Sequence, residues 1–222
     1  MDERQAALDR GFQDFMGIPM KIAPGILIPR KETELLGQTA LQVLEGLSAP
    51  RIIDVCAGTG NLACAIALSV PGAKVWAIDV TPECVRLMRE NVGRFALQDR
   101  VSIAQSDVFS ALSGCALEGT IDLIVANPPY IPTGKLESEK RELLTLEPRE
   151  AFDAGPYGLA VIQRIINDAH SFLMPHAPLA FEFGAGQHKM VQRLFDRSGA
   201  YDSVRFAADN GGTPRVAVAL KR

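Results

Sequence analysis

Apolar and polar positions follow two rhythms along this chain. In "KETELLGQTALQVLEGL", residues 31 to 47, Leu35, Leu36, Thr39, Ala40, Val43, Leu44 and Leu47 recur at helical spacing and predict an amphipathic helix with one apolar stripe. Short apolar runs then take turns with longer amphipathic stretches. "RIIDVC" reads as a strand, "NLACAIALSV" as a helix and "KVWAIDV" as a strand, and "TPECVRLMRENV" reads as a helix opened by Thr81 and Pro82. The strand "RVSIAQS", a short helix near "VFSALSG", the strand "TIDLIVA", a helix within "LAVIQRIINDAHSFL", the strand "APLAFEF" and the helix "QHKMVQRLF" continue the order. Strands alternating with helices predict a parallel sheet covered on both faces. At the end, "YDSVRFA" and "RVAVAL" flank "ADNGGTP", where Asn210 and Gly211 predict a tight turn and an antiparallel hairpin. The expected fold class is α/β, a mostly parallel seven-stranded sheet closed by that hairpin, with helices on both faces.

Composition narrows the function classes. A chain of 222 residues, 47% of them hydrophobic, can form one core that buries about 70% of the unfolded surface. A formal net charge of −3 argues against a nucleic-acid partner, which needs concentrated Lys and Arg. Cys56, Cys64, Cys84 and Cys115 form no CxxC pair and are not grouped with His170, His176 or His188, so no metal site is expected. Cysteines scattered through apolar segments read as core residues of a reducing compartment. The charged opening "MDERQAALDR" carries no secretory pattern, and no apolar run approaches the ~20 residues of a membrane span. A soluble, cytoplasmic protein is expected.

Candidate chemistry gathers where the strands end. "DVCAGTGN", residues 54 to 61, puts Gly58 and Gly60 just before a helix, where bare backbone and unpaired N–H groups favour a ligand. It is not a dinucleotide fingerprint, because Cys56 replaces the first glycine and no third follows. The next strand ends in Asp79, and the one after it is followed by Asp107. Asp79 can accept from two ribose hydroxyls, and Asp107 from an adenine amino group, with Val108 as an apolar wall. Each acid alone can also serve as a helix cap. Their shared place at successive strand ends argues for a ligand edge.

"DLIVANPPYIP", residues 122 to 132, ends a strand abruptly on the same edge. Pro128 holds Asn127 extended, and neither Pro128 nor Pro129 can donate to a ladder, so the corner is stiff. There the Asn127 side-chain oxygen and the Pro128 carbonyl can accept both hydrogens of one –NH2 group, and Tyr130 offers a flat face to its planar carrier.

With its NPPY motif the chain resembles the class I methyltransferases that use S-adenosylmethionine and act on nitrogen. "GILIPRKETELL" is similar to the "LIPRPxTE" segment of the HemK/PrmC family, the protein-(glutamine-N5) methyltransferases of peptide chain release factors. The likeness runs on through "LEPREAFDAGPYGL", "FEFGAGQ" and "DNGGTPRVAVAL", covering roughly residues 12 to 220. It implies a Rossmann-like fold and S-adenosyl-L-methionine as cofactor. Cys56, Ala57, Gly58, Thr59 and Gly60 would wrap the cofactor's methionine part and Asp79 its ribose. Asp107 and Val108 would frame the adenine, with Asn61, Val80 and Asn127 also at the cofactor. Asn127, Pro128, Pro129 and Tyr130 would hold the target amide, with Asn127, Pro128 and Tyr130 as the catalytic group. Arg30 and Thr33 would border the substrate, although Arg30 also reads as a surface cation at a helix start.

Two departures accompany the likeness. Cys56 stands where the family has the first glycine of its loop. Only about twenty residues precede "GILIPRKETELL", where the family carries a helical domain. The expected organisation is a short N-terminal extension, 1 to 24, and a methyltransferase domain, 25 to 222. Residues 131 to 155, with the mixed-charge run "KLESEKRELLTLEPRE", read either as a cover over the substrate or as a solvated surface segment. Three functions compete: methylation of a protein glutamine, N-methylation of a small molecule, and a non-catalytic cofactor-binding partner, against which the intact Asn127 and Tyr130 argue.

Overall fold

The computed structural model describes residues 3–202 and 204–222. Helix α1 (Glu3–Arg10) and a hairpin of β1 (Phe12–Phe15) and β2 (Ile18–Lys21) precede α2 (Glu34–Val43). There follow β3 (Arg51–Val55), α3 (Asn61–Ser69), β4 (Lys74–Asp79), α4 (Pro82–Arg94) and β5 (Val101–Gln105). The chain continues through β6 (Leu123–Ala126), α5 (Thr133–Ser138), α6 (Ala160–Ala169), β7 (Pro178–Glu182), α7 (His188–Ser198), β8 (Arg205–Ala208) and β9 (Pro214–Leu220).

The main sheet has seven strands in the order β5-β4-β3-β6-β7-β9-β8. Neighbours from β5 to β7 are parallel, whereas β9 runs antiparallel to both β7 and β8. This is the mostly parallel α/β sheet closed by an antiparallel hairpin that the strand and helix order predicts, in the Rossmann-like arrangement that the resemblance implies. Chain order reverses between β3 and β6, which opens a crevice at their carboxyl ends. The central strands are apolar because both faces are covered: all four residues of β6 are buried, as are four of the five in β3. One core cluster packs α2 and α3 on one face and the other packs α6 and α7 on the opposite face. Helix α3 is buried from Leu62 to Ala67, which explains why its sequence shows no polar stripe. Among the described residues no helix is long and apolar enough to cross a membrane.

Three local features depart from the pattern reading. The opening residues, which show no element in the sequence pattern, form α1 and the hairpin, whose Phe15 and Met20 are fully buried in the main core. Met16 and Gly17, at φ 50° and 77°, make the turn, and the Met16 N–H is taken by Glu34 of α2 at 3.0 Å. Helix α2 stops at Val43, so Leu47 falls beyond it and is exposed. In the terminal hairpin the left-handed residue is Gly212, at φ 78°, not Asn210 or Gly211. Asp209 organises that loop by accepting from Gly211 and Thr213 N–H, and a register shift at Ala207 and Ala208 absorbs its length.

Candidate active site

The loop after β3 is built to hold a left-handed backbone. Cys56, Gly58 and Gly60 have φ of 58°, 55° and 79°. Thus Cys56 adopts, at a cost of about 1–2 kcal/mol, the conformation that a glycine takes freely. Its thiol is pushed well up, by burial first and then by the charge of Asp79. Asp79 fastens the loop: its Oδ2 accepts from Gly58 N–H at 2.9 Å, and its Oδ1 accepts from the Thr81 N–H and hydroxyl. From behind, the buried Asn91 of α4 donates to the Thr59 and Lys21 carbonyls, tying loop, helix and hairpin together.

A cavity of about 250 Å³ opens beside this loop, bordered by Cys56, Gly58, Asp79, Val80, Asp107 and Val108 and reaching Asn127 and Pro129. Val80 is half exposed toward it, and Val108 is a buried residue held at φ 51°. Asp107 pairs with Arg164 at 2.9 Å, and that hydrogen bond holds its carboxyl below the usual range. A smaller recess adjoins Ala57, Thr59 and Asn61. Gly60 behaves differently from its neighbours. It gives its N–H to the Ala57 carbonyl, and a Cβ on it would meet Met88 Cγ at 2.7 Å, so it serves the packing of α4.

The Asn127 to Tyr130 corner stands between that cavity and a larger one of about 730 Å³, which Tyr130 borders together with Arg30, Gly184, Gln187 and Arg215. Pro128 is buried, and Asn127, Pro129 and Tyr130 are half-buried. Asn127 Nδ2 donates to Thr33 Oγ1 at 3.1 Å, and the Thr33 hydroxyl donates to Glu182 Oε2 at 2.8 Å. Glu182 Oε1 accepts from the Tyr130 hydroxyl at 3.0 Å and from Arg215 at 3.4 Å. Among the described residues no donor is set against Asn127 Oδ1 or the Pro128 carbonyl, so two acceptors remain at the corner. Burial raises the Glu182 carboxyl, opposed by Thr33, Tyr130 and Arg215, and burial first and then Glu182 hold the Tyr130 phenol well above its ordinary range.

Sequence reasoning expected Thr33 and Arg30 at the substrate. Thr33 is only 1% exposed and its hydroxyl donates to Glu182, and it borders the smaller recess together with Asn127. Arg30 borders the larger cavity but is not a free surface cation, because it pairs with the buried Glu147, whose Oε1 also accepts from Ile28 N–H. Glu147 thereby fastens residues 131 to 155 over both cavities: Pro148, Glu150 and Asp153 border the smaller, and Lys140, Leu143 and Phe152 the larger.

Glu182, Arg215, Gln187 and Glu147 carried no assigned role in the sequence. Glu182 ends β7, so the strand-end logic that singled out Asp79 and Asn127 extends to it. Gln187 is legible only in three dimensions: its Nε2 donates to the Tyr130 carbonyl and its Oε1 accepts from Gly184 N–H.

Residues 32–145 match the family model of the methyltransferase small domain. A release factor glutamine methyltransferase of Moorella thermoacetica is 35% identical over 96% of this chain and 73% of its own length. The chain belongs to the release factor glutamine methyltransferase family. The Salmonella typhimurium enzyme of that name is 38% identical, over 93% of this chain and 72% of its own. A further relative, the 4-amino-L-phenylalanine/4-methylamino-L-phenylalanine methyltransferase of Streptomyces pristinaespiralis, is 36% identical over 86% of this chain and 65% of its own. Among solved structures, a Thermus thermophilus 16S ribosomal RNA methyltransferase in complex with AdoMet and guanosine superposes with TM-score 0.68, at 22% identity, over 95% of this chain and half of its own. That likeness concerns the fold. By family the chain is a methyltransferase.

Proposed function

We propose that this chain methylates the side-chain amide nitrogen of a glutamine in a protein, with S-adenosyl-L-methionine as donor, a reading supported by relatives named release factor glutamine methyltransferase. The observation that carries the reading is the pair of open acceptors, Asn127 Oδ1 and the Pro128 carbonyl, on a rigid corner between two cavities. The smaller cavity suits the cofactor. A Cβ on Gly58 would meet nothing within 4 Å, so backbone lies open to a ligand there, Asp79 offers carboxylate acceptors, and Val80 and Val108 offer apolar walls. Cys56, Ala57, Gly58, Thr59 and Asn61 would hold the methionine part, Asp79 the ribose, and Val80, Asp107 and Val108 the adenine. When bound, the cofactor supplies an electrophilic methyl group on a sulfonium whose leaving group is a neutral thioether.

Tyr130 and Pro129 flank the acceptor, while Asn127 Oδ1 and the Pro128 carbonyl take its two N–H hydrogens and turn the nitrogen toward the smaller cavity. Such orientation matters because a carboxamide lone pair is delocalised and attacks poorly unless aligned. The two oxygens also stabilise positive charge growing on the nitrogen, which returns to neutrality by releasing one proton to water. In this reading residues 25 to 222 are the methyltransferase domain, residues 1 to 24 its N-terminal extension, and the enzyme works in the cytoplasm, as its free cysteines suggest.

A second reading, N-methylation of a small amine, is favoured by the relative acting on 4-amino-L-phenylalanine. Labelled cofactor with a release factor in one arm and 4-amino-L-phenylalanine in the other separates the two. Transfer to the release factor glutamine, lost in Asn127→Ala while cofactor binding persists, is the expected result. Label only on the free amine, or turnover by Asn127→Ala near the wild-type rate, overturns the proposal.

A further inference from the structure

A carboxamide presents nearly the same outline either way round, so shape alone does not decide whether Asn127 offers its oxygen or its nitrogen to an acceptor. We propose that Thr33 and Glu182 are positioning residues that fix this orientation. The inference rests on the reading of Asn127 as the holder of an –NH2 group.

The polarity can be followed from the deep end. Arg215 Nη2, the Tyr130 hydroxyl and the Thr33 hydroxyl all point at the two Glu182 carboxyl oxygens, which serve as acceptors. Thr33 has one hydroxyl hydrogen, and it goes to Glu182 Oε2. Only lone pairs are left facing Asn127, so Asn127 must turn its Nδ2 inward, at 3.1 Å, and its Oδ1 outward. Both Thr33, 1% exposed, and Glu182, 2% exposed, are shielded from water that would relax this constraint. The relay joins three distant segments: the turn before α2, the end of β6 and the end of β7.

The sign of the relay can be reversed. In Glu182→Gln the amide oxygen stays with Arg215 and Tyr130, which both donate, and its –NH2 faces Thr33. The Thr33 hydrogen, no longer held at position 182, is then available to Asn127, which can turn its oxygen inward and meet the methyl acceptor donor against donor. Thr33→Val removes the hydroxyl at nearly constant shape, whereas Thr33→Ser keeps it.

The test uses the full chain with its cofactor and a release factor acceptor. Thr33→Val and Glu182→Gln are expected to lower kcat about 100-fold, the scale of a lost transition-state hydrogen bond. Thr33→Ser is expected to stay within about threefold of wild type, and cofactor affinity is expected to be unchanged in all three. Thr33→Val within about threefold of wild type, or failure of serine to rescue, overturns the relay. A second measurement needs no acceptor: the side-chain 15N amide resonances of Asn127 in the cofactor-bound protein should shift in Thr33→Val and Glu182→Gln but not in Thr33→Ser. Unshifted resonances overturn the relay by themselves. An inactive wild type with the expected resonance shifts overturns the assigned acceptor and leaves the relay standing.

Discussion

Gly158 lies so close to Tyr130 that a Cβ on it would come within 2.4 Å of the Tyr130 carbonyl oxygen. At φ 70° Gly158 also occupies the left-handed region. The same carbonyl accepts from Gln187, whose Nε2 would lie 2.8 Å from that Cβ, so Gly158 and Gln187 together close on the corner carrying Tyr130.

Gly158→Ala therefore combines backbone strain with displacement of Tyr130. We expect a loss of about 2–4 kcal/mol in stability, from the left-handed penalty plus overpacking. Methyl transfer should fall by about 100-fold, as for a displacement near 1 Å at a reacting centre. Denaturant titration and single-turnover transfer measure the two effects. Transfer at the wild-type rate would show that the corner tolerates movement.

Glu147 joins the cover segment to residues 28 to 30 through a buried carboxylate. Glu147→Ala leaves the Ile28 N–H without its acceptor and Arg30 without its partner, at a cost of about 1–3 kcal/mol. The segment should loosen, so trypsin should cut after Lys140 or Arg141 faster than in wild type, and KM for the protein acceptor should rise more than kcat falls. An unchanged cleavage rate would mean that other contacts hold the cover.

Asp54 is fully buried beneath the α3 N-terminus. Its Oδ2 accepts from Ala63 N–H, while among the described residues no partner reaches its Oδ1. Burial is the main cause that lifts its pKa from 3.8 to about 8. A carboxyl with a raised folded pKa contributes stability that is fully present below pH 3.8 and is lost as pH rises through about 8. Asp54→Asn stays neutral throughout. Its stability relative to wild type should thus rise as pH goes from about 4 to about 8, because only the wild type must take up a proton on folding in that window. Urea melts at several pH values test this, and a gap independent of pH would contradict the assignment.

Much of the site was legible in the sequence because strand ends can be read from periodicity. Asp79, Asp107 and Asn127 each follow an apolar run, and a parallel sheet sends such positions to one edge. The hairpin of residues 12 to 21 is not legible in the sequence because its strands have four residues each, too few to show a period, and its buried Phe15 and Met20 pack in a core shared with helices distant in sequence. The segment "FEFGAGQ" marked a family likeness without revealing what its acid and its glutamine do.

From order and spacing alone, the sequence determined the alternation of elements, the sheet they build and the ligand edge, since those follow from local preference and from the covering of apolar faces. Tertiary structure alone decided which hydrogen bonds close behind the edge. Thr33 meets Asn127 across 94 positions and Glu182 across 149, and Gln187 meets Tyr130 across 57. Side-chain polarity at such separations depends on three-dimensional register, where one hydroxyl hydrogen can serve only one acceptor at a time.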